Sequence, residues 1–345
     1  MDANTRFSPV GPTNSVVHDG PDARVEHARV DGARPMLSFV VPVFNEAETL
    51  PHFLTTIRAV LGGLCGDYEI IFCADPCSDG TLELLRAEHH LDSRIKLLVF
   101  SRRFGQPAAT MAGIHYCSGA AVIVMDCDLQ DSPSLIPEMV ELWRQGWKVV
   151  IPQRTSRKGE HILKRIVAWA GYWFINKVSN VDLPRNTGDF RLLDRVVVDQ
   201  LKRLKESHGF LRGLTAVVGF RTRLLPFERD ERRAGQGKYN RITGSLRIGF
   251  NGIICFSDYL LNLMIKVGLI LAILAIASAF GVLYLKLVLK WPFASGIPSI
   301  MILVLFLGGL NLIGMGVLGT YLGRVYDEVK ERPLFIVEEN LGCQI

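Results

Sequence analysis

The chain has 345 residues, is 49% hydrophobic and carries a formal net charge of +5. That length suits one large domain with an appendage, and the charge is too small for the whole chain to bind nucleic acid electrostatically. The mean hydropathy of +0.23 is high for a water-soluble enzyme, and the apolar excess lies in the last third.

Residues 1–34 mix charge, Gly and Pro without an apolar run, and read as a disordered tail rather than a signal peptide. From Met36 the pattern alternates. Apolar, β-branched runs at Leu37–Val43, Tyr68–Ala74, Ile95–Phe100, Ala121–Met125 and Lys148–Ile151 predict strands. Helical spacing fills the gaps at Glu46–Leu64, Asp79–His90, Gln106–Cys117 and Ser134–Gln145. Buried strands alternating with helices imply βαβ units and a mostly parallel sheet covered on both faces. Ligands of such sheets bind at the carboxyl ends of the strands. The residues just past each strand there are Pro42–Glu46, Asp75–Asp79, Ser101–Gly105 and Asp126–Asp131. The seven cysteines are an odd number without a paired CxxC, which predicts reduced thiols in a cytosolic domain.

Two stretches further on predict helices lying in a head-group layer. Lys158–Asn180 mixes Lys164, Arg165 and Lys177 with Trp169, Tyr172, Trp173 and Phe174, and Thr243–Leu261 carries Phe250, Ile253, Ile254 and Phe256. Between Arg232 and Arg247 lie five basic residues and no acid. Val267–Leu285 is a run of 19 uncharged residues, and Pro292–Gly323 carries no charge. Each can cross a hydrocarbon core, so a transmembrane hairpin is expected. Basic residues before and after it place both ends on the cytoplasmic side, against only Lys286 and Lys290 in the connecting loop. Gly319 and Gly323 form a small-xxx-small pair that could seat another helix.

The strongest chemical signal is Asp126-Cys127-Asp128, directly after an apolar strand. Residues two apart in extended chain point the same way, so the two carboxylates share a face at the ligand edge. Like charges held that close are unfavourable without a cation, and Mg²⁺ or Mn²⁺ prefers such hard oxygen donors.

Several ordered motifs together resemble a known family. Val41-Pro-Val-Phe-Asn-Glu46, Asp75 with Ser78-Asp-Gly-Thr81, and Asp126-Cys-Asp-Leu-Gln-Asp131 resemble the nucleotide and metal motifs of family-two inverting glycosyltransferases of the GT-A fold. Ser101-Arg-Arg-Phe-Gly105, Gly188-Asp-Phe-Arg-Leu192, Phe210-Leu-Arg-Gly213 and Arg232…Gly235-x-x-Lys238-Tyr239 narrow the resemblance to the polyprenyl-phosphate glycosyltransferases. That resemblance implies a donor pocket of Pro42, Asn45, Glu46, Asp75, Arg103, Asp126 and Gln130. It implies a Mg²⁺ or Mn²⁺ on Asp126 and Asp128, with Asp128, Asp189 and Arg191 as catalytic residues, the last two near the transferred sugar. Arg212, Arg232 and Lys238 would hold the acceptor phosphate. The implied substrates are a nucleotide sugar (a UDP-sugar favoured, a GDP-sugar possible) and a polyprenyl phosphate in the bilayer, with inversion and homo-oligomerisation through the membrane helices. The chain departs from the family at Ala74-Asp75-Pro76-Cys77, where relatives carry two adjacent acids followed by Gly-Ser.

The expected organisation is a GT-A domain over 35–228, a basic juxtamembrane segment over 229–262, two spans within 263–324 and a cytoplasmic tail over 325–345 in a multi-pass inner-membrane protein. A phosphate acceptor fits the residues. Its second pKa lies near 6, so it arrives as an anionic nucleophile and needs cations to hold it rather than a base. Two other readings are a processive polysaccharide synthase and a non-catalytic nucleotide-sugar scaffold. The first would need Gln-x-x-Arg-Trp, and the near match Gln200-Leu-Lys-Arg203-Leu204 lacks the Trp. The second is opposed by the intact Asp126/Asp128 pair.

Overall fold

A computed structural model describes residues 36–64, 67–155, 184, 186–204, 211–227, 261, 264–271, single positions between 273 and 288, and 296–344. The interfacial stretches Lys158–Asn180 and Thr243–Leu260, the basic run Arg232–Arg247 and much of the first apolar run lie outside the described residues.

The five expected strands are present: β1 (Leu37–Val43), β2 (Tyr68–Ala74), β3 (Ile95–Phe100), β4 (Ala121–Val124) and β5 (Val149–Arg154). So are the helices between them: α1 (Leu50–Gly62), α2 (Thr81–Leu91), α3 (Gln106–Tyr116) and α4 (Ile136–Arg144). Then come β6 (Arg191–Asp194), α5 (Arg195–Arg203), α6 (Leu211–Val218), β7 (Thr222–Phe227), the long helix α7 (Ile297–Val329) and β8 (Val337–Leu341).

All eight strands form one sheet in the order β7-β5-β6-β4-β1-β2-β3-β8. Pairs β1–β2, β1–β4, β2–β3 and β5–β7 are parallel, while β4–β6, β5–β6 and β3–β8 are antiparallel. The sheet is thus the mostly parallel mixed sheet expected of the GT-A class. Two apolar layers sandwich it. Phe39, Val41, Phe72 and Ile123 pack on one side with α1, whose Leu50, Phe53, Leu54, Ile57 and Leu61 recur at helical spacing. Val40, Ile71, Leu98 and Val124 pack on the other with Met111 and Ile114 of α3 and Val197 and Leu201 of α5. Helix α3 lies hard against the sheet. A Cβ at Gly113 would fall 2.3 Å from Val40 Cγ1, so only glycine permits that approach.

Helix α7 contains Phe306–Val329, among the described residues the one helix long and apolar enough to cross a membrane. Beyond it the chain comes back: β8, within the segment expected as a cytoplasmic tail, pairs with β3 and closes that edge of the sheet. Arg86 of α2 grips Glu339 of β8 through two hydrogen bonds of 3.1 and 2.7 Å.

Candidate active site

Strands β1 to β5 end at one edge of the sheet, and β6, being antiparallel to β4, starts there. The loops at that edge are tied together in sequence order. After β1, Asn45 turns the chain with a φ of 53°, in the left-handed region that asparagine tolerates better than most residues. Its side chain donates to Ser78 Oγ at 3.2 Å and accepts from Ser78 N at 2.8 Å. Asp79 accepts from Ala47 N, Thr81 N and Thr81 Oγ1. Burial opposes its charge, but these donors outweigh it and hold the Asp79 carboxyl below the usual range. The loops after β1 and β2 therefore brace one another. Glu46 takes a short bond from Thr49 Oγ1 at 2.5 Å. Pro42, expected to line the pocket, is instead buried within β1 opposite Cys73, because it falls inside the fully buried strand.

Asp75 is 3% exposed, and its two oxygens accept Phe104 N at 2.9 Å and Gly105 N at 3.0 Å. It ties the loop after β3 to the end of β2. Within that loop Arg103 lies 4.1 Å from the centre of the Phe44 ring, which brings the first and third loops into contact. Gly105, at φ 90°, turns the chain into α3, and Gln106 then donates from Nε2 to Asp126 Oδ1 at 2.8 Å. No spacing motif marks Gln106. Only its place directly after the Ser101–Gly105 loop could have drawn notice.

The acids after β4 sit at the centre of this edge. Asp126 is half-buried, and its carboxyl is pushed up to about 7. Burial is the main cause, followed by Asp189, Asp128 and Asp131, with Gln106 opposing. Asp128 accepts from Gln130 N at 3.0 Å around Leu129, whose φ is 54°. Asp131 pairs with Arg154 at the end of β5 at 3.1 Å, and a Cβ added at Gly188 would fall 3.3 Å from Asp131 and 3.4 Å from Arg154. Asp189 pairs with Arg212 of α6 at 2.8 Å. Burial would raise the Asp189 pKa, but Arg212, Arg191 and Arg154 outweigh it and keep the carboxyl low.

Two of the expected residues have specific partners within the protein. Arg191 is 1% exposed rather than open to the cleft. It donates to Gly188 O at 2.9 Å, Thr215 Oγ1 at 3.0 Å, Asp189 O at 3.3 Å and Leu211 O at 3.5 Å. Burial pulls its pKa down to about 10 against the pull of Asp189, with Arg212 adding to the drop. Its place in β6, buried on both faces, makes it the post on which Gly188–Asp189 is hung. Arg212, expected at the acceptor phosphate, holds Asp189. Arg232 and Lys238 lie outside the described residues.

The donor set suits a divalent cation: clustered carboxylate oxygens whose mutual repulsion a +2 charge would relieve. Among the described residues no three His, Cys, Asp or Glu side chains form a complete cage. Magnesium and manganese sites of this open kind take their other ligands from phosphate and water. The near match Gln200–Leu204 lies away from the acids, since its own Lys202 reaches Cys117 O just beyond the far end of α3.

A model of glycosyl transferase family 2 matches residues 38–202. The chain is 40% identical over 307 residues to the uncharacterized glycosyltransferase YkcC of Bacillus subtilis, covering 89% of this chain and 94% of that one. It is 38% identical over 304 residues to the SfII prophage-derived bactoprenol glucosyl transferase of Shigella flexneri, covering 88% and 98%. Among solved structures it is similar to a mannosyltransferase of Pyrobaculum calidifontis in complex with GDP-Man and Mn²⁺. There the identity is 17% and the TM-score 0.41, over 63% of this chain and 61% of that one.

Proposed function

The chain belongs to glycosyl transferase family 2, and from that premise we propose that it moves a sugar from a nucleotide diphosphate to a polyprenyl phosphate at the cytoplasmic face of a membrane. The donor is a UDP-sugar, with a GDP-sugar as the alternative. One observation carries the reading: four carboxylates meet at the ligand edge of the sheet, and Asp126 among them bonds the neutral amide of Gln106 rather than a cation. Asp131 and Asp189 have arginine partners, whereas Asp126 bonds the Gln106 amide and stands beside three other acids, a setting suited to a cationic ligand. Asp126 and Asp128 would hold Mg²⁺ or Mn²⁺, which when bound supplies positive charge against the departing diphosphate.

The remaining roles belong to the chain. Asn45 and Asp79 hold the first two loops as one wall of the donor pocket. Asp75 sets the third loop and its Arg103. Arg191 and Arg212 fix Asp189 from behind, so that its carboxylate faces the transferred sugar without moving. The acceptor needs no base, and the basic run Arg232–Arg247, with Arg232 and Lys238, would hold its phosphate beside the bilayer. A single in-line displacement would then invert the anomeric carbon. The relatives named bactoprenol glucosyl transferases support the polyprenyl acceptor.

Chain topology supports a multi-pass arrangement. Helix α7 ends at Val329, and after residues 330–336 the chain is already paired to β3. If α7 crosses the bilayer, that end lies on the side of the catalytic sheet. Strand β7 lies in the same sheet, which fits the uncharged run Val267–Leu285 as a second span of opposite sense, a hairpin with both ends on one side. Helix α7 exposes Gly319 and Gly323 where an added Cβ would meet nothing, which supports association of copies through the spans.

The test is to incubate the purified protein with undecaprenyl phosphate, Mn²⁺ and a panel of labelled UDP- and GDP-sugars, with a chelated control. Label in the lipid extract that depends on the metal is the expected result. Donor binding without lipid label for any sugar would leave a binding scaffold instead.

A further inference from the structure

The C-terminal segment reaches further than the edge of the sheet. β8 pairs with β3 up to its last residue, Phe100 opposite Val337, after a bulge at Val99/Phe100. The pairing continues into the loop: Ser101 N donates to Ile336 O at 3.1 Å. The Phe335 ring lies 6.1 Å from Phe100, which meets Phe104 of the loop edge-on, also at 6.1 Å. On its other side Phe335 meets His115 at 5.9 Å and Tyr116 at 6.4 Å, both on α3. One side chain thus packs against the strand that enters the Ser101–Gly105 loop and the helix that leaves it.

We propose that Leu334–Leu341 is a positioning element of the donor pocket, with Phe335 as its anchor. Its docking fixes the Ser101–Gly105 loop and, through that loop, Arg103 and Gln106. This rests on the reading of that loop as part of the donor pocket.

The loop has two ties. Asp75 holds its far end through Phe104 N and Gly105 N, and the C-terminal segment holds its near end at Ser101. Between them Arg102 and Arg103 are exposed, and their guanidinium groups lie over the Phe104 and Phe44 rings. A short loop held at both ends keeps its shape, while one held at a single end opens locally at small cost. Directly after the loop Gln106 bonds Asp126, so the loop's register bears on the central acid. The near tie belongs to the stretch that leaves the apolar helix. Residues 330–336 span at most roughly 25 Å when extended. A membrane-inserted α7 therefore keeps the segment beside β3, and insertion and donor-loop order are linked.

Hydrogen exchange on the full-length protein in lipid nanodiscs tests this, with Phe335→Ala, Phe335→Leu and a chain ending at Arg332. In Phe335→Ala the amides of 337–341 and of Ser101–Gly105 should both exchange about ten-fold faster, with β1 and β2 unchanged. The KM for the nucleotide sugar should rise about five-fold, with kcat at saturating donor and the KM for lipid phosphate retained. Phe335→Leu should restore most of both. The chain ending at Arg332 removes the segment outright and should release the loop at least as far. Loss of the segment with Ser101–Gly105 still protected would overturn the coupling, whether or not the protein transfers sugar. Equal changes in both KM values would overturn it as well, reducing Phe335 to general packing.

Discussion

Two acids at opposite ends of the same sheet show how burial of a charge can be resolved in two ways. Glu69, near the start of β2, has a side chain only 3% exposed. It takes Lys96 Nζ at 2.6 Å, Ser38 Oγ at 2.5 Å, Ser118 N at 2.7 Å and Ser118 Oγ at 2.8 Å. Burial works against its charge, but these partners outweigh it and the Glu69 pKa falls below 4.5. Asp126, just past β4, has the neutral amide of Gln106 and three acids around it, and its pKa climbs to about 7. The first charge is satisfied from within and belongs to the fold. The second has no such set of partners, and on the proposed function that difference separates a structural carboxylate from a metal-binding one.

The comparison can be broken most directly at Asp128. Asp128→Ala should lower transfer about a thousand-fold, the scale on which one electrostatic group at a reacting centre counts. It should change the melting temperature little, since loss of the Gln130 N bond is offset by removal of a like charge beside Asp126. A paired activity assay and thermal melt decide it, and undiminished turnover in chelator would end the metal role. The mirror-image variant is Glu69→Ala. It should cost about 3 kcal/mol of stability, because Lys96 is left beside a vacated buried site. The fraction that remains folded should keep its kcat, which denaturant titration and a turnover assay measure together.

The pH dependence sharpens the contrast. A carboxyl whose folded pKa is depressed stabilises the fold above its unfolded value, near 4.5 for Glu69. That contribution fades as the pH falls through the folded value. Chemical denaturation between pH 7 and pH 3 should show a steeper acid loss for the natural chain than for Glu69→Gln. The smallest effect is expected at Arg86→Ala. The pair it forms with Glu339 is bidentate but part-exposed, so removal should cost about 0.2–1 kcal/mol and lessen as salt is raised.

Much of the site could be read from residue order. The apolar runs marked β1 to β5, and their ends named the four loops. The parts that could not be read depend on partners distant in sequence. β8 is Val-Glu-Glu-Asn-Leu, too polar to announce a strand, and it becomes one only because α7 delivers it to the open edge of β3. β6 has four residues and carries an arginine. Arg191 reads as a cleft residue because charged side chains are seldom fully buried. Its burial depends on the Gly188, Leu211 and Thr215 acceptors that α6 and the preceding loop bring to it. Arg212 reads as a phosphate ligand because sequence does not reveal that Asp189 stands opposite. Glu69 gives no signal, since a lone acid inside an apolar strand is ambiguous until Lys96 and Ser118 are seen around it.

On the proposed function, the buried guanidinium of Arg191 limits how the sugar pocket can be re-engineered. Four acceptors on two segments are served by one planar fork, and an ammonium in its place has three donors and no such geometry. Attempts to change the sugar accepted should therefore vary the neighbours that face the cleft and leave this position alone. Replacing it would require redesign of α6 at the same time.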